Sequence, residues 1–290
     1  MDKKNILKII FSLIIGLVLA TFCMLKYIYV KFHGYDNLIK VLDNVTGYDA
    51  TYMNFGYWGG RENKETLTEA NKTSCEHMIS KIEIKDTDKI LDVGCGYGDQ
   101  DILINNKHSK CNIDCIDINP LQIDKLNNRL QEAKLTKKIN ARVGSATELP
   151  SEDNKYDILF SIESAFHYDT REKFFDESYR VLKNNGKMVI ADIVLKDNYF
   201  LNFPVYITKQ FFEIPQDNLI TKEKWIKQLE DRGFSVQYTD ITDNTFIPYF
   251  NYFKQNHSFN NIILDKIIDL IVMYMTAYCP FKYMTAVATK

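Results

Sequence analysis

The chain of 290 residues has little excess of either charge, since 36 Lys and Arg residues accompany 38 Asp and Glu residues and give a net charge of −2. A protein that binds duplex nucleic acid usually carries a basic patch, whereas the lysines here are interspersed with acids. The chain also lacks a Cys-x-x-Cys pair, because the closest of its six cysteines are Cys111 and Cys115. This spacing favours buried, unpaired thiols in a reducing compartment. We therefore expect no nucleic-acid partner, no metal ligands and no disulfides.

A glycine-rich turn is the most informative local feature. The apolar run from Ile90 to Val93 predicts a strand buried on both faces, and it leads into three alternate glycines, Gly94, Gly96 and Gly98. Glycine has no Cβ and accepts positive φ, so a backbone of this kind can approach a ligand closely. The turn is therefore predicted to cradle a cofactor.

A second predicted strand begins at Asn112 and ends at the acid Asp117. Rossmann-type folds place a ribose-binding carboxylate at this point, about twenty residues after the glycine turn. A dinucleotide fingerprint also needs Gly-x-Gly-x-x-Gly, and its last glycine would fall on Asp99. The spacing therefore argues against a nicotinamide cofactor and leaves an NAD(P)-dependent reductase as the weaker alternative.

The pattern Asp-x-Gly-x-Gly-x-Gly that starts at Asp92 resembles motif I of the class I S-adenosylmethionine-dependent methyltransferases. The resemblance covers roughly residues 50–290 and implies an α/β fold with a Rossmann-like, seven-stranded doubly wound sheet. It implies S-adenosyl-L-methionine as the cofactor, with Asp92 orienting its amino group and Asp117 holding its ribose hydroxyls. Gly94 and Gly96 would pass beneath the methionyl and ribose parts.

The same resemblance implies further cofactor contacts. Ser145 stands where relatives usually carry an aspartate that bonds the adenine amino group, and its hydroxyl can still accept that bond. Tyr57 belongs to an aromatic segment, Met53 to Trp58, that is similar to the cofactor cover of small-molecule methyltransferases. A buried hydrophobic plug would explain that segment equally well. The remaining expected contacts stand at or beside strand ends and are Ile118, Ala146 and Ile162.

An uncharged stretch from Ile9 to Leu25 lies near the N-terminus, with lysines before it and lysines and tyrosines after it. It predicts a single-pass membrane anchor within residues 1–33. A cleaved signal peptide is the competing interpretation, but Ala20 to Phe22 is a poor cleavage site. The flanking lysines are nearly balanced and give no orientation, while a cytosolic cofactor and unpaired thiols favour a catalytic domain that faces the cytoplasm.

The rest of the chain divides into two predicted parts. Residues 34–88 form a helical and irregular cap, and residues 89–290 form the methyltransferase domain. In the family that the chain resembles, the insertion after strand five is a helical lid over the acceptor, which would be residues 193–232 here. The aromatic residues of that insertion would line an apolar pocket, although packing within a helical cap accounts for them as well.

The fourth predicted strand runs from Tyr156 to Glu163, and His167 follows at the sheet edge where open α/β sheets bind ligands. Methyl transfer is an in-line displacement, and a hydroxyl acceptor would also need a base. The segment from Glu163 to Asp192 resembles the family pattern Glu-Ser-x-x-His followed by Ile-Ala-Asp. This implies His167 as the catalytic base, with Asp192 orienting its ring. The alternative is that His167 only packs or positions the substrate.

Motifs of other methyltransferase classes are absent. The Asn/Asp-Pro-Pro-Tyr/Phe motif of nucleic-acid amino-methylating enzymes is replaced by Glu163-Ser-Ala-Phe, and the loop has one glutamate where protein arginine methyltransferases need two. The sequence thus predicts a membrane-anchored, S-adenosylmethionine-dependent methyltransferase acting on oxygen, nitrogen or carbon of a small, hydrophobic or lipid-like acceptor. A non-catalytic cofactor-binding scaffold protein of the same fold is the rival interpretation.

Overall fold

The computed structural model describes residues 52–60, 65–197, 213–256 and 279–290, together with single positions in the two remaining intervals, Val205, Lys209, Lys266, Asp269, Val272, Met273 and Thr276. The predicted membrane anchor at Ile9 to Leu25 and much of the predicted lid lie outside these residues. Among the residues that are described, no helix is both long and apolar enough to cross a membrane.

Seven strands form one sheet in the order β3-β2-β1-β4-β5-β7-β6. Only β7 runs antiparallel to its neighbours, β5 and β6. The strand order reverses between β1 and β4, which makes the carboxyl ends of these two strands the switch point where open α/β sheets bind ligands. This topology confirms the predicted Rossmann-like, seven-stranded sheet. The strands are β1 Lys89–Val93, β2 Asn112–Asp117, β3 Ile139–Val143, β4 Tyr156–Ile162, β5 Leu182–Leu195, β6 Ser235–Asp240 and β7 Phe281–Thr289.

Three of the described helices begin at residues whose side chains satisfy an unpaired N–H group of the first turn. Thr66 forms a capping box with Glu69, and the Asn119 side chain accepts from the backbone N–H of Leu121. The Thr170 side chain caps the helix that follows β4 in the same way. The helices of the described part are α1 Leu67–Ile79, α2 Asp99–Lys107, α3 Pro120–Glu132, α4 Arg171–Val181, α5 Lys222–Glu230 and α6 Thr242–Asn256.

Hydrophobic cores lie on both faces of the sheet. Adjacent strand residues alternate between the two, so Ile90 packs in one cluster and Leu91 in the other, and Phe160 and Leu159 divide in the same way. All four side chains are fully buried. The double burial explains why β1 and β4 read as continuous apolar runs in the sequence.

The structure changes the predicted boundaries around β5. This strand extends to Leu195 because β7 pairs with it along its second half. The first residues assigned to the lid, 193–195, therefore belong to the sheet. Helix α5, at the other end of the predicted lid, covers the sheet, since Trp225 and Leu229 are fully buried in one cluster with Ile190 of β5.

Candidate active site

The glycine turn after β1 is held open by its backbone geometry. Gly94 and Gly96 have φ of +76° and +56°, a region that non-glycine residues rarely adopt. The Gly94 N–H donates to the Ile116 carbonyl at 2.7 Å, which ties the turn to the end of β2. A Cβ on Gly94 would lie 2.4 Å from the Ser164 Cβ, whereas a Cβ on Gly96 would meet only the Met53 Sδ, at 3.9 Å. The Gly94 side of the turn is therefore packed and the Gly96 side has room for a ligand.

A cavity opens beside this turn and is lined by Met53, Asn54, Gly94, Cys95, Gly96, Tyr97, Gln100 and Ile162. Three of the predicted cofactor residues are among these, namely Gly94, Gly96 and Ile162. Met53 and Asn54 come from the aromatic segment predicted to cover the cofactor, whereas the sequence did not predict Cys95, Tyr97 or Gln100. Cys95 and Tyr97 could have been found because they alternate with the glycines, but no sequence signal singles out Gln100.

Asp92 is fully buried on β1 behind this cavity. Its Oδ2 accepts a hydrogen bond of 2.6 Å from the Gln100 Nε2, while its Oδ1 has no hydrogen-bond partner among the residues described. Burial raises the pKa of Asp92 to about 7, and the charge of Asp117 adds to the rise, while hydrogen bonds to Asp101 and Gln100 oppose it. A buried carboxylate oxygen without a donor fits the ammonium group of the expected cofactor.

Asp117 lies at the end of β2, beside the turn. Its carboxylate accepts from the Gly96 N–H at 3.0 Å and from the Asn119 N–H at 2.9 Å. Burial raises its pKa, and these backbone donors oppose the shift. Each carboxylate oxygen keeps a second lone pair, so it can also accept a ribose hydroxyl. The orphaned acid, the open glycine face and this second acid together fit S-adenosylmethionine.

The other expected cofactor residues are not among those that line the cavity. Ile118 is 74% exposed beside Asp117, and the Ser145 Oγ accepts from the Thr147 N–H at 3.2 Å. Ala146 follows Ser145 and is buried. The half-buried ring of Tyr57 stacks on His77 of α1, with centroids 4.3 Å apart. Met53 and Asn54 of the same aromatic segment supply the lining instead.

Glu163 directly follows β4 and binds two segments that are distant in the sequence. It has a positive φ of 54°, and its Oε1 accepts from the Phe55 N–H at 2.8 Å and from the Tyr283 hydroxyl at 2.5 Å. Burial raises the pKa of Glu163 to about 8. This carboxyl group therefore fastens the N-terminal segment and β7 to the edge of the sheet that carries the cavity.

His167 is exposed at the end of a 3₁₀ turn, Ala165–His167. Its Nδ1 lies 3.3 Å from the backbone carbonyl oxygen of Glu213. A carbonyl can only accept, so this contact favours the tautomer with hydrogen on Nδ1 and a lone pair on Nε2. In that state Nε2 can accept a proton.

Asp192 lies inside the structure and has other partners. Its Oδ2 is 2.9 Å from the Arg171 Nε and accepts from the Trp225 Nε1 at 2.8 Å, and its Oδ1 accepts from the Ile193 N–H at 2.9 Å. Burial raises its pKa, and the charge of Arg171 opposes the shift. The predicted role of Asp192 in orienting His167 is therefore replaced by a buried ion pair that joins β5 to α4, because both oxygens already bind donors from elsewhere.

Comparisons with known proteins agree with this geometry. Residues 91–190 match the family described as the methyltransferase domain. The chain is 29% identical over 226 residues to erythromycin 3''-O-methyltransferase from Saccharopolyspora erythraea, covering 74% of this chain and 73% of that protein. It is 28% identical over 221 residues to sterol 24-C-methyltransferase from Kluyveromyces lactis, covering 74% of this chain and 58% of that one.

A solved structure also shares the fold. The crystal structure of geranyl diphosphate C-methyltransferase from Streptomyces coelicolor A3(2), in complex with Mg²⁺, geranyl diphosphate and S-adenosyl-L-homocysteine, superposes with a TM-score of 0.67. The match covers 84% of this chain and 88% of that one at 18% sequence identity. Residues 91–190 therefore match a methyltransferase domain, and over about three quarters of its length the chain is similar to methyltransferases that share its sheet order.

Proposed function

We propose that this enzyme transfers a methyl group from S-adenosylmethionine to a hydroxyl oxygen of a small, largely apolar acceptor. The observation that supports the proposal is that two features follow neighbouring strands of the sheet: the cavity beside the glycine turn follows β1, and His167, whose Nδ1 faces a backbone carbonyl, follows β4. The bound cofactor supplies a methyl group on a positively charged sulfur. Nitrogen and carbon acceptors are the alternatives within the same family.

The chain's own residues bind and orient the reactants. Oδ1 of Asp92 accepts from the cofactor's amino group, and the two oxygens of Asp117 accept from its ribose hydroxyls. The Gly96 backbone supplies the open surface against which the cofactor lies. Methyl transfer depends mainly on the alignment of the two reactants. These contacts contribute to the rate because they hold the cofactor in a fixed position.

The acceptor would lie beyond β4, where His167 takes the hydroxyl proton on Nε2. An aromatic cluster would form the apolar side of the acceptor site. In this cluster the Phe55 ring makes edge contacts with Phe246 and Tyr249 at centroid distances of 4.9 Å. Glu163 holds Phe55 in this position through its backbone N–H. An oxygen and an apolar acceptor are both consistent with the relatives, one of which is named an O-methyltransferase and another a sterol methyltransferase.

The direct test is transfer of a labelled methyl group from S-adenosylmethionine into an extract of the source cells, followed by partition between organic and aqueous phases. We expect label in the organic phase, on a product whose new methyl group is identified by NMR as a methyl ether. A methylamine or a carbon-bound methyl would overturn the choice of oxygen. Cofactor binding without labelling of either phase would favour the scaffold interpretation.

The base assignment is tested with His167→Gln, and His108→Gln at the end of α2 is the matched control outside the site. Loss of a general base lowers kcat by roughly 10²–10⁴-fold, and we expect the acidic limb of the pH–rate profile to disappear in His167→Gln. If kcat fell equally at all pH values, or if only the KM for the acceptor rose, His167 would instead be assigned to positioning the substrate.

We also infer that the uncharged stretch from Ile9 to Leu25 anchors the enzyme to a membrane. Its support is the sequence, which has lysines on both flanks of this stretch. The full chain should stay with membranes through a carbonate wash. Leu17→Lys places a charge in the apolar stretch and should release the protein, whereas release of the unchanged chain by the wash would overturn the inference.

A further inference from the structure

Asp101, in the first turn of α2, is a second fully buried acid beside Asp92. Asp101 follows Gln100, whose amide bonds Asp92, so the two acids are neighbours, and a hydrogen bond between their carboxyl groups contributes to the pKa of both. Within the described part of the chain, no N–H or O–H donor reaches either oxygen of Asp101 or Oδ1 of Asp92. Two ionised carboxylates cannot hydrogen-bond to each other, because both only accept. The contact therefore requires that one of the two acids carries a proton.

The surroundings of this pair favour such a shared proton. The ionisable groups that face it are acids and thiols from β2, α1, α2 and the glycine turn: Asp117, Cys115, Cys75, Asp99 and Cys95. Asp99 itself is paired with Arg129, whose Nη2 lies 2.7 Å from its Oδ1. Two negative charges held close together without a balancing cation are unfavourable in a buried place, so one proton is retained.

The titration behaviour agrees with this geometry. Burial first, and then the negative charge of Asp92, raise the pKa of Asp101 well above its usual range, while a hydrogen bond from the Cys115 thiol opposes the rise. Oδ2 of Asp92 accepts from the Gln100 amide, whereas neither oxygen of Asp101 receives an N–H or O–H donor from the described residues, so the negative charge is better stabilised on Asp92 and the proton stays on Asp101.

We propose that Asp101 is a positioning residue for the cofactor. It donates its carboxyl proton to Asp92 and, together with the Gln100 amide on Oδ2, fixes the orientation of the carboxylate that receives the cofactor's amino group. The pair then carries a single negative charge, which matches the single positive charge of an ammonium group. This inference rests on the proposed role of Asp92 in the binding of S-adenosylmethionine.

Two substitutions of Asp101 by residues of similar size distinguish the effect of its hydrogen-bond donor from the effect of its volume. Asp101→Asn keeps an N–H donor toward Asp92 and an oxygen toward Cys115, whereas Asp101→Leu keeps neither. We expect the dissociation constant for S-adenosylhomocysteine, measured by titration calorimetry, to stay close to that of the unchanged enzyme in Asp101→Asn. In Asp101→Leu it should rise by roughly tenfold to a hundredfold, the usual effect of losing a hydrogen bond to a charged group. Equal dissociation constants in the two variants would overturn the proposal.

Infrared spectroscopy reads the proton directly and does not depend on cofactor binding. At neutral pH the unchanged enzyme should show the carbonyl stretch of a protonated carboxylic acid that is missing in Asp101→Asn. Glu163→Gln serves as the control, because Glu163 is also expected to hold a proton and its substitution should remove a different band. If the spectrum of Asp101→Asn kept every such band, the shared proton would be disproved, even if Asp101→Leu did not fold.

Asp92→Asn distinguishes failure of this inference from failure of the proposed site. Unchanged affinity for S-adenosylhomocysteine in Asp92→Asn would remove Asp92 from the cofactor site, and the positioning role of Asp101 with it. Weakened affinity in Asp92→Asn with no loss in Asp101→Leu would leave the site in place and overturn only the role of Asp101.

Discussion

Two buried aspartates of the central sheet have opposite surroundings. Asp192 on β5 is held by Arg171, the Trp225 indole and a backbone N–H, so both of its oxygens have donors. Asp92 on β1 receives one amide hydrogen bond, has Asp101 beside it and keeps Oδ1 without a donor. Both side chains are fully buried. The two residues thus carry the same charge at the same depth, but only one of them is neutralised by the fold.

The difference indicates which acid serves stability and which serves binding. A buried charge costs several kcal/mol unless a partner compensates it. The charge of Asp192 is compensated within the fold, because Arg171 of α4 and Trp225 of α5 bind its carboxylate. The charge of Asp92 is not compensated by a cation among the described residues, as expected where the partner is a cationic ligand. Substitutions in the two regions should therefore separate stability from cofactor binding.

The largest effect should come from Arg171→Met. It leaves Asp192 buried without its cation, and breaking a buried pair from one side costs about 3–5 kcal/mol in the free energy of unfolding. Urea denaturation measures the loss. The control is Lys227→Met, which breaks the exposed ion pair to Asp231 and should change stability little. If Arg171→Met were as stable as the control, the Asp192 region would not hold the fold together.

Asp92→Asn should have the reverse profile. We expect no loss of unfolding free energy at pH 8, because the change removes an unpaired buried charge. The dissociation constant for S-adenosylhomocysteine should rise by roughly tenfold to a hundredfold, about 1.5–3 kcal/mol. Urea denaturation and calorimetry on one preparation test both halves. A destabilisation as large as that of Arg171→Met would erase the contrast between the two aspartates.

The glycine turn offers a smaller, matched pair of changes. Gly94→Ala should lower the unfolding free energy by about 2 kcal/mol, because its Cβ meets the Ser164 side chain at 2.4 Å and its φ is positive. Gly96→Ala should lower it by about 1 kcal/mol, from backbone strain alone. In Gly96→Ala the loss of binding free energy for the cofactor should exceed the loss of unfolding free energy. Equal stability losses in the two variants would show that the Gly96 side of the turn is not open.

The smallest effect concerns pH. Burial raises the pKa of Glu163 from 4.5 to about 8. Between these values the unfolded chain releases a proton that the folded protein keeps, so the unfolding free energy falls as pH rises through this window. Glu163→Gln should make that fall less steep, as measured by urea denaturation between pH 5 and pH 8. An unchanged slope would mean that Glu163 ionises alike in both states.

Much of the fold could be predicted because its signals are local. The apolar run before Gly94 predicted the position of β1, and the run that begins at Asn112 and ends at Asp117 predicted that of β2. Helix α3 begins at Pro120, and the first position of a helix is one where proline is common, so this boundary also has a local signal. The full length of β5 could not be predicted, because it depends on pairing with β7 about a hundred residues later.

The candidate site was predictable on the cofactor side and less so beyond β4. The glycines, the acid before them and the acid at the end of β2 follow a fixed spacing, and in the structure both acids are hydrogen-bonded to residues that line one cavity. Glu163 contacts residues 108 and 120 positions away, and Asp192 takes its cation from another helix. No local pattern reports such partners, which explains why the sequence paired Asp192 with His167. The roles given to these residues remain proposals.

Asp92 on β1, whose Oδ1 has no donor among the described residues, is assigned here to the amino group of the cofactor. A crystal structure of the enzyme with S-adenosylhomocysteine tests this assignment most directly. We expect the amino group to lie within hydrogen-bonding distance of Oδ1 of Asp92 and the ribose hydroxyls to bind Asp117. The sulfur should face the end of β4. A bound cofactor whose amino group lies elsewhere, with Oδ1 of Asp92 still lacking a donor, would contradict it.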